Sequence, residues 1–508
     1  MAKKDVTSMR GAIEWLKSKG ELIEVDNEVD IVYEIAGIQA ALEGGPALLF
    51  NNLKGFPGKR DIGNVFSRQK NVAKMFDLED YKQVRFKCLE ALRNPLPPRK
   101  VTDAPCQGVV ITKDIDVLNT IPVTKYHPHD AGRILPNGNF LLTGKYSDGG
   151  THIAFTRVHF RGKDWGVCMP SIGSTTEEIC LKFKGEKIPC TVNICNPPAV
   201  LMVASTGFVH TIVPVSSDKL GFAGYLQGAP VDIVKAKTVD AYSIANAEWV
   251  IEGYINTKEK RVWESEEGEK IGRQGVVPYF QEWTGYVGSA WRGLKFDVTA
   301  ITHQKDRPIY NSPFSRSYDS DNMCSPYRIA SFLELAERIS PGLVADANII
   351  PGLVAWGGSI IFQVNKRMAR YEGYQRTLLA AAIANSFTLK LAIVVDEDVD
   401  ITSADDVLWA IATRCNPATG IIAGAGGKVL SMLPLEKLVT GGVQVMGSRI
   451  EGAIGIDATL PFAVKQEFRR TRYPVDMVDL KKWFTRKQIN EIRATQTGFV
   501  KLWAERGG

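Results

Sequence analysis

The segment Thr151-His-Ile-Ala-Phe-Thr-Arg-Val-His-Phe160 decides the fold class of the central part of this chain. It is rich in β-branched and aromatic residues, which favour a strand. Similar short runs, Gly108-Val-Val-Ile-Thr112 and Val192-Asn-Ile-Cys195, lie on either side of it, and Gly, Pro and Asp residues separate them. Short strands at such spacing are typical of a β-barrel. We therefore predict a barrel with inserted segments over residues 106–315.

The first hundred residues have the pattern of a small α/β unit. Met9, Ile13 and Leu16 recur at helical spacing, and the apolar residues of 29–43 predict a second helix. Gly44-Gly45 ends that helix, and a strand follows directly. The proline-rich segment 93–99 then predicts a domain boundary.

The chain becomes helical again after residue 322. The predicted elements are helices near 325–339, 366–386 and 403–413, with a strand at 390–395. The last 25 residues form the pattern of an amphipathic helix, with an apolar side of Ile489, Ile492, Phe499 and Leu502. We expect such a terminal helix to pack on a neighbouring subunit.

These patterns predict a mixed α/β (α+β) fold with four regions. They are a small N-terminal α/β domain (1–100), a barrel domain (101–320), a C-terminal α/β domain (321–480) and a C-terminal helix on a neighbouring subunit (481–508).

Composition excludes several function classes. Hydrophobic residues make up 44% and charged residues 23% of the 508, which is the balance of a globular protein. No apolar run approaches the ~20 residues that span a bilayer, and the chain begins without an apolar signal core. We therefore expect a cytoplasmic protein without a membrane partner. The net charge of +6 is spread over scattered Lys and Arg, which argues against nucleic acid.

The eight cysteines include no Cys-x-x-Cys pair, so we predict buried free thiols and no zinc site. The acidic run Asp396, Glu397, Asp398 and Asp400 could bind a metal. A structural role is the better interpretation, because the run follows a strand and Asp405 or Asp406 then opens a helix. Residues 424–428 lack the full phosphate-loop pattern, so we expect a tight turn there.

Three collinear sets of segments resemble the UbiD decarboxylase family. They are residues 49–57, residues 151–157 with 196–200, and residues 394–400 with 406–417 and 426–428. No single motif is diagnostic, but their order and spacing hold along nearly the whole chain. The resemblance implies a central split β-barrel that binds flavin and a C-terminal oligomerisation domain, in a homodimer or homohexamer.

The resemblance also implies a reaction and a cofactor. The reaction is non-oxidative, reversible decarboxylation of an aromatic or α,β-unsaturated acid. The cofactor is a prenylated flavin mononucleotide (FMN), supplied by a separate flavin prenyltransferase. Removing CO2 from an sp2 carbon leaves a localised carbanion, which needs a cofactor as electron sink. The expected cofactor contacts are Asn137, His152, Ile153, Ala154, Phe155, Thr156, Arg157 and Asp232.

Family members place an arginine between two glutamates at the reacting carbon. Arg157 matches the arginine, whose fork can bind a carboxylate with two hydrogen bonds, and Glu282 matches the proton-donating glutamate. Without the resemblance, a surface salt bridge and an ordinary loop acid would be the better interpretations. The other glutamate position, five residues before Glu282, is Val277. We therefore expect Glu282 to lack a carboxylate partner and Arg157 to keep more net positive field.

The metal site of the family is altered in this sequence. The resemblance implies a divalent ion (Mn²⁺, Mg²⁺ or Fe²⁺) with K⁺ nearby. His152 and Asp232 match two of its ligand positions, but the third ligand position falls at Gly173. The family also has a lysine near the flavin phosphate, and this sequence has Ala384 near that position. The alternative for His152 is a neutral, hydrogen-bonded histidine in the cofactor pocket.

Other histidines give weaker signals. His127 and His129 lie on a loop, where a hydrogen-bonded role is more common than metal binding. His159 alternates with Arg157 along the predicted strand, so we expect both side chains on one side.

The substrate class stays open from the sequence. An aromatic acid or an aryl-coenzyme A (CoA) thioester such as phthaloyl-CoA would suit the resemblance. Two other functions are a non-catalytic scaffold subunit of a larger carboxylase, and redox chemistry with unmodified flavin.

Overall fold

The computed structural model describes residues 4–171, 173–351, 357–386, 388–424, 452–468, 470, 474 and 477–495. They belong to two compact units, the first running to Ser331 and the second beginning at Phe332. Within these residues, every helix is too short or too polar to cross a membrane.

The first unit contains most of the strands. Its strands are β1 (Leu22–Val25), β2 (Ala47–Phe50), β3 (Arg60–Gly63), β4 (Arg99–Val101), β5 (Val109–Ile111), β6 (Ile134–Thr143), β7 (Thr151–Phe160), β8 (Trp165–Cys168), β9 (Lys187–Ile194), β10 (Asp232–Lys235), β11 (Tyr242–Ile244), β12 (Trp249–Asn256), β13 (Val262–Trp263), β14 (Pro278–Gln281), β15 (Val287–Ser289), β16 (Arg292–His303) and β17 (Ile309–Asn311).

The helices of the same part of the chain are mostly short. They are α1 (Met9–Ser18), α2 (Glu34–Ala41), α3 (Gln69–Met75), α4 (Tyr81–Arg93), α5 (Val117–Thr120), α6 (Thr175–Lys182), α7 (Pro198–Ala204), α8 (Lys219–Gln227), α9 (Glu266–Ile271) and α10 (Tyr318–Ile339), which runs past Ser331.

A closed antiparallel barrel forms the centre of the first unit, as the β-rich runs predict. Six strands pair in the order β12-β9-β6-β7-β8-β16, and β16 pairs with β12 to close the ring. Closure leaves no free sheet edge, so short strands with polar residues can still form a stable layer. The rings of Phe140 and Phe296 pack edge to face within the unit's core, with centroids 5.3 Å apart.

Three smaller sheets accompany the barrel. Their strand orders are β1-β2-β3-β17, β11-β10-β4 and β14-β15. Helix α1 forms as predicted, because Ser8 caps it and Met9, Ile13 and Leu16 are buried along one side. The second predicted helix is shorter than 29–43 and covers only α2. Val29 instead bridges to Leu53 as an extended segment, and burial of its side chain outweighs helix propensity.

The second unit is built on a five-stranded mixed sheet, in the order β18-β19-β20-β22-β21. Its strands are β18 (Val344–Asn348), β19 (Ser359–Val364), β20 (Leu391–Asp396), β21 (Ile421–Ala423) and β22 (Ile454–Ala458). Its helices are α11 (Tyr374–Asn385), α12 (Ala404–Arg414) and α13 (Arg486–Thr495). The predicted helix at 366–386 thus begins later, at Tyr374. Phe499 and Leu502 lie outside the described residues.

The acidic run after β20 has the structural role that the sequence favours. Arg414 pairs with Asp396 and Asp398, and Lys465 pairs with Glu397. Ser403 caps α12 by accepting from the backbone N–H of Asp406. All eight cysteines are free, and seven are buried.

Candidate active site

Three charged side chains meet beside the barrel, and each comes from a different element. Arg157 lies on β7, Glu264 follows the end of β13, and Glu282 follows the end of β14. Strand ends release the chain from sheet pairing, so the two carboxylates can turn toward the arginine. The arginine side chain is 14% exposed, that of Glu264 is fully buried, and that of Glu282 is 9% exposed.

The two glutamates contact different parts of the Arg157 guanidinium. Nε and Nη2 donate to Oε1 and Oε2 of Glu264 at 2.9 and 3.1 Å. Nη1 donates to Oε1 of Glu282 at 2.6 Å. Charge-assisted pairs of this kind are among the strongest hydrogen bonds in proteins, and the double contact fixes the plane of the guanidinium. Arg157 is therefore held rigidly between two acids.

Glu264 corrects two expectations from the sequence. Val277 is indeed apolar and packs in a small cluster with Ile134 and Tyr279, but Glu282 is not without a carboxylate partner. Glu264 contacts the same guanidinium and offsets its charge. The fork of Arg157 is also already occupied, so its Nε and Nη2 are not free to bind a second carboxylate with two hydrogen bonds.

The sequence carried only a weak signal for Glu264. It is the first acid of the run Glu264-Ser-Glu-Glu-Gly-Glu269, which has the pattern of an exposed helix start. In the structure Ser265 is the N-cap of α9, and the three later glutamates lie in its first turn. Glu264 alone lies before the cap, directly after a buried tryptophan, and this position is the only feature that separates it from its neighbours.

Burial and neighbouring charges shift the pKa of the Glu282 carboxyl group. Burial raises the pKa of the Glu282 carboxyl above its usual value, and Glu264 adds to this, against the lowering effect of Arg157. Glu264 accepts the bidentate pair from Arg157 and also a backbone N–H from Trp291 at 3.0 Å, so both of its carboxylate oxygens are engaged. Burial lowers the pKa of Arg157, but the two glutamates outweigh it and raise the pKa overall. Glu282 is therefore the acid of the pair that can carry a proton.

Tyr279 and His159 complete the surroundings. The guanidinium of Arg157 lies over the Tyr279 ring, 5.1 Å from its centre. Nδ1 of His159 lies 2.6 Å from the backbone carbonyl of Glu264, so the His159 and Arg157 side chains reach the same residue, as their alternation on the strand predicts. Burial lowers the pKa of His159 to about 4, which keeps the ring neutral.

A tight turn between β14 and β15 positions Glu282. Gly285 has φ +87°, a left-handed conformation that favours glycine, and its N–H donates to the Glu282 carbonyl at 2.9 Å. At Gly288 a Cβ would lie 2.6 Å from Cγ of Glu282. The glycine therefore makes the space that the glutamate side chain fills.

His152, at the start of β7, and Asp232, the other predicted metal ligand, have different hydrogen-bond partners. Nε2 of His152 lies 2.8 Å from Oγ1 of Thr176, and its Nδ1 lies 3.2 Å from Nζ of Lys219. Asp232 lies in the separate sheet of β10 and forms a bidentate ion pair with Arg99. Gly173 contributes only its backbone N–H, which donates to Glu177.

These residues do not fit a divalent metal ion. Across the described ranges, no group of three His, Cys, Asp or Glu side chains could hold one. A lysine ammonium beside His152 would also repel a metal at that nitrogen. His152 and Asp232 belong to different sheets, and each already contacts a basic side chain, Lys219 and Arg99 respectively.

The remaining predicted cofactor contacts surround β7. Ile153 is fully buried in the core and Thr156 is buried, whereas Ala154 and Phe155 are partly exposed. Asn137, on the neighbouring β6, is buried. Its Nδ2 donates to the Asn311 carbonyl, but its Oδ1 has no hydrogen-bond partner among the described residues. His127 and His129 lie on a loop, in which the backbone N–H of His127 donates to the Asp130 side chain.

Comparison with known proteins gives matches along the chain. The 3-octaprenyl-4-hydroxybenzoate carboxy-lyase N-terminal domain matches residues 13–87, the Rift-related domain residues 99–316, and the C-terminal domain residues 322–458. Gallate decarboxylase of Lactiplantibacillus plantarum is 30% identical over 473 residues, which cover 89% of this chain and 93% of that protein.

Two solved structures are similar over almost their whole length. The apo 3,4-dihydroxybenzoic acid decarboxylase from Enterobacter cloacae has a TM-score of 0.80 and 26% identity, covering 95% of this chain and 99% of that one. The second is an evolved dimeric form of the UbiD-class enzyme HmfF from Pelotomaculum thermopropionicum, in complex with prFMN. It has a TM-score of 0.77 and 25% identity, and the match covers 94% of this chain and 100% of that one. Because the three domain matches together span most of its length, this chain belongs to the UbiD family of carboxy-lyases.

Proposed function

We propose that this protein removes CO2 from an aromatic carboxylic acid with the help of a bound prenylated FMN. The observation that carries the proposal is the arrangement of Arg157 between Glu264, which binds it with two hydrogen bonds, and Glu282, whose pKa burial raises. A neutral carboxylic acid beside a fixed guanidinium can deliver a proton, because the guanidinium stabilises the carboxylate that remains. The roles of these residues are part of the proposal. The domain boundaries at residues 100, 320 and 480 are also part of it.

The described residues fit a flavin nucleotide. The buried Oδ1 of Asn137 is an unsatisfied acceptor next to β7, and a bound N–H or hydroxyl would remove that cost. Lys219 is a buried cation without a carboxylate partner in the described part of the chain, which suits a phosphate. When bound, the prenylated flavin supplies the electron sink for the charge left as CO2 departs.

Each residue of the Arg157 site then has a distinct task. Glu264 fixes the guanidinium plane through its two hydrogen bonds. Arg157 holds Glu282 at Oε1, which fixes the position of its carboxyl group for proton transfer. Oε2 of Glu282 carries the proton that replaces CO2 on the substrate carbon, and it accepts that proton in the carboxylation direction. The buried Tyr279 ring excludes water from one side of the guanidinium.

A hydroxybenzoic acid is the substrate class that the relatives support best. The curated relative is named for gallate, and the Enterobacter protein for 3,4-dihydroxybenzoic acid. An aryl-CoA acid such as phthaloyl-CoA is the other class that the sequence analysis left open. The Arg157 arrangement supports an enzyme rather than a non-catalytic scaffold, because a scaffold gains nothing from a buried, protonatable acid.

The test uses full-length protein co-expressed with a flavin prenyltransferase. We expect it to release CO2 from gallate or 3,4-dihydroxybenzoate and, in D2O, to place one deuterium on the carbon that lost the carboxyl group. Phthaloyl-CoA tests the other class, and mass spectrometry identifies the released cofactor. Protein that carries prenylated FMN but neither exchanges nor decarboxylates any aromatic acid would contradict the proposal, and so would protein that holds only unmodified flavin.

A further inference from the structure

Lys219 is a buried lysine in the first turn of α8. The residue is 5% exposed, and Nζ lies 3.2 Å from Nδ1 of His152 and 5.4 Å from the centre of the Phe208 ring. No Asp or Glu among the described residues forms an ion pair with it. The site thus contains a desolvated positive charge that its surroundings do not neutralise.

Such a charge is costly unless an anion reaches it. Removing an ammonium from water costs several kcal/mol in real proteins, and a neutral imidazole with one aromatic face offsets only part of this. The backbone around Lys219 is fixed, because the N–H of Leu220 donates to Oγ1 of Thr151 at 2.9 Å. The lysine is therefore held in place before any anion binds.

His152 is arranged to orient this lysine rather than to bind a metal. A protonated ammonium can only donate, so Nδ1 of His152 accepts from it. Nε2 must then carry the ring proton and donate to Oγ1 of Thr176 at 2.8 Å. Both ring nitrogens are used, and neither offers a lone pair to a metal.

Thr176, the hydrogen-bond partner of His152, lies in the first turn of α6. The helix dipole favours a negative ligand there, and Glu177 and Glu178 in the same turn offset part of that effect. His152 lies on β7, the strand that also carries Arg157, so a flavin nucleotide bound along this strand would bring its phosphate to Lys219.

We propose that Lys219, oriented by His152, binds the phosphate of the flavin nucleotide directly and supplies the positive charge that the family resemblance assigns to a divalent cation. This inference rests on the proposed function, because it takes the ligand to be a flavin nucleotide. It differs from the expectation for the family in that binding of the cofactor needs no divalent metal.

The experiment measures binding of FMN and riboflavin to cofactor-free, full-length protein by quenching of flavin fluorescence. Each titration is repeated with EDTA and with added Mn²⁺ or Mg²⁺. Riboflavin lacks the phosphate and reports binding of the ring alone. The variants are Lys219→Met, which removes the charge at similar volume, and Lys163→Met, which removes a lysine whose side chain is 80% exposed.

We expect the wild type to bind FMN at least about 30-fold more tightly than riboflavin, with or without EDTA. Lys219→Met should lose this preference while its riboflavin affinity is unchanged, and Lys163→Met should behave as the wild type. The melting temperature of cofactor-free Lys219→Met should be equal to or above that of the wild type, because an unpaired buried charge is removed. This separates a binding role from a structural one.

Three results would overturn the inference while leaving the proposed function intact. They are FMN binding that EDTA abolishes and Mn²⁺ restores, FMN affinity that Lys219→Met leaves unchanged, and a loss of riboflavin binding equal to the loss of FMN binding. Failure of the wild type to bind either flavin under any condition would instead count against the proposed function.

Discussion

Nε and Nη2 of Arg157 donate to the two carboxylate oxygens of Glu264, a residue that lies 107 positions further along the chain. This pair leaves Nη1 as the group that contacts Glu282. Glu264 therefore fixes the arginine, and Glu282 contacts its remaining nitrogen, Nη1. This division of the guanidinium leads directly to different expectations for the two acids.

Glu282→Gln should reduce decarboxylation by at least about 100-fold and abolish deuterium exchange into the product, because the amide cannot deliver the proton. The protein should keep its melting temperature, since a glutamine resembles the protonated acid in shape and charge. Product formation and exchange by mass spectrometry, with cofactor content measured in parallel, check this. Survival of either activity would remove Glu282 from the mechanism.

Glu264→Gln should instead lower the free energy of unfolding, by about 3–5 kcal/mol, because it leaves the buried guanidinium without its bidentate partner. Urea unfolding of both variants under one buffer condition measures the contrast. A Glu264→Gln protein as stable as the wild type would mean that the arginine is not held by this pair. Glu269→Gln, from the exposed part of the same acidic run, is the control.

Gly288→Ala should reduce activity by about tenfold or more in a protein that still folds. The new Cβ would lie 2.6 Å from Cγ and 2.7 Å from Oε1 of Glu282, so the side chain must move, and a displacement near 1 Å at a reacting group is enough for such losses. The assay compares kcat for the two proteins, and near-UV circular dichroism checks folding.

The matched control is Gly37→Ala in α2. A Cβ there meets no atom within 4 Å, and the glycine lies inside a helix. This variant should keep full activity and gain about 0.4–1 kcal/mol of stability. Equal loss of activity in both variants would show that the space beside Glu282 is not the cause.

Asp319 provides a prediction on pH and stability. Burial raises the pKa of its carboxyl from 3.8 to about 7, while its Oδ1 accepts the backbone N–H of Phe66 at 2.6 Å. Between these two pKa values the folded protein binds more protons than the unfolded chain, so stability falls as pH rises from about 4 to 7.

Asp319→Asn removes this titration and keeps an oxygen for Phe66. The variant should therefore be more stable than the wild type at pH 8, by roughly 1–2 kcal/mol, and should lose that advantage at pH 4. Chemical unfolding at both pH values tests it. The same difference at both values would mean that Asp319 does not titrate in this range.

Arg414→Met should destabilise the second unit by about 3–5 kcal/mol. The arginine side chain is 4% exposed and pairs with the buried Asp396 at 3.0 Å. Without it, Asp396 would keep only the longer ion pair with Lys465 at 3.7 Å. Arg338→Met, which removes an exposed i,i+4 pair with Glu334, should cost no more than about 0.5 kcal/mol. Urea unfolding followed by tryptophan fluorescence compares them, and equal losses would contradict a structural role for the acidic run.

Local patterns were sufficient where neighbouring residues decide the structure. The β-rich runs predicted the barrel, and the spacing of Met9, Ile13 and Leu16 predicted α1, because alternation and helical periodicity are properties of short segments. The second predicted helix was too long, since packing of Val29 in an extended conformation cannot be read from its periodicity.

The candidate site was predictable only in part. The family resemblance of the sequence identified Arg157 and Glu282 but not the residues that contact them. Val277 removed the expected second acid, and the sequence offered no rule by which Glu264 would replace it. The pairing of His152 with Asp232 stays a prediction, and the sequence did not show that the two residues belong to different sheets.

The sequence by itself determined the family, the barrel, and which residues of β7 lie near the site. The tertiary structure alone decided the partners of those residues: Glu264 for Arg157, and Lys219 for His152, which lies 67 positions earlier. Strand formation depends on a few adjacent side chains. The partner of a buried charge depends on how distant strands and helices pack around it, and no local pattern records that.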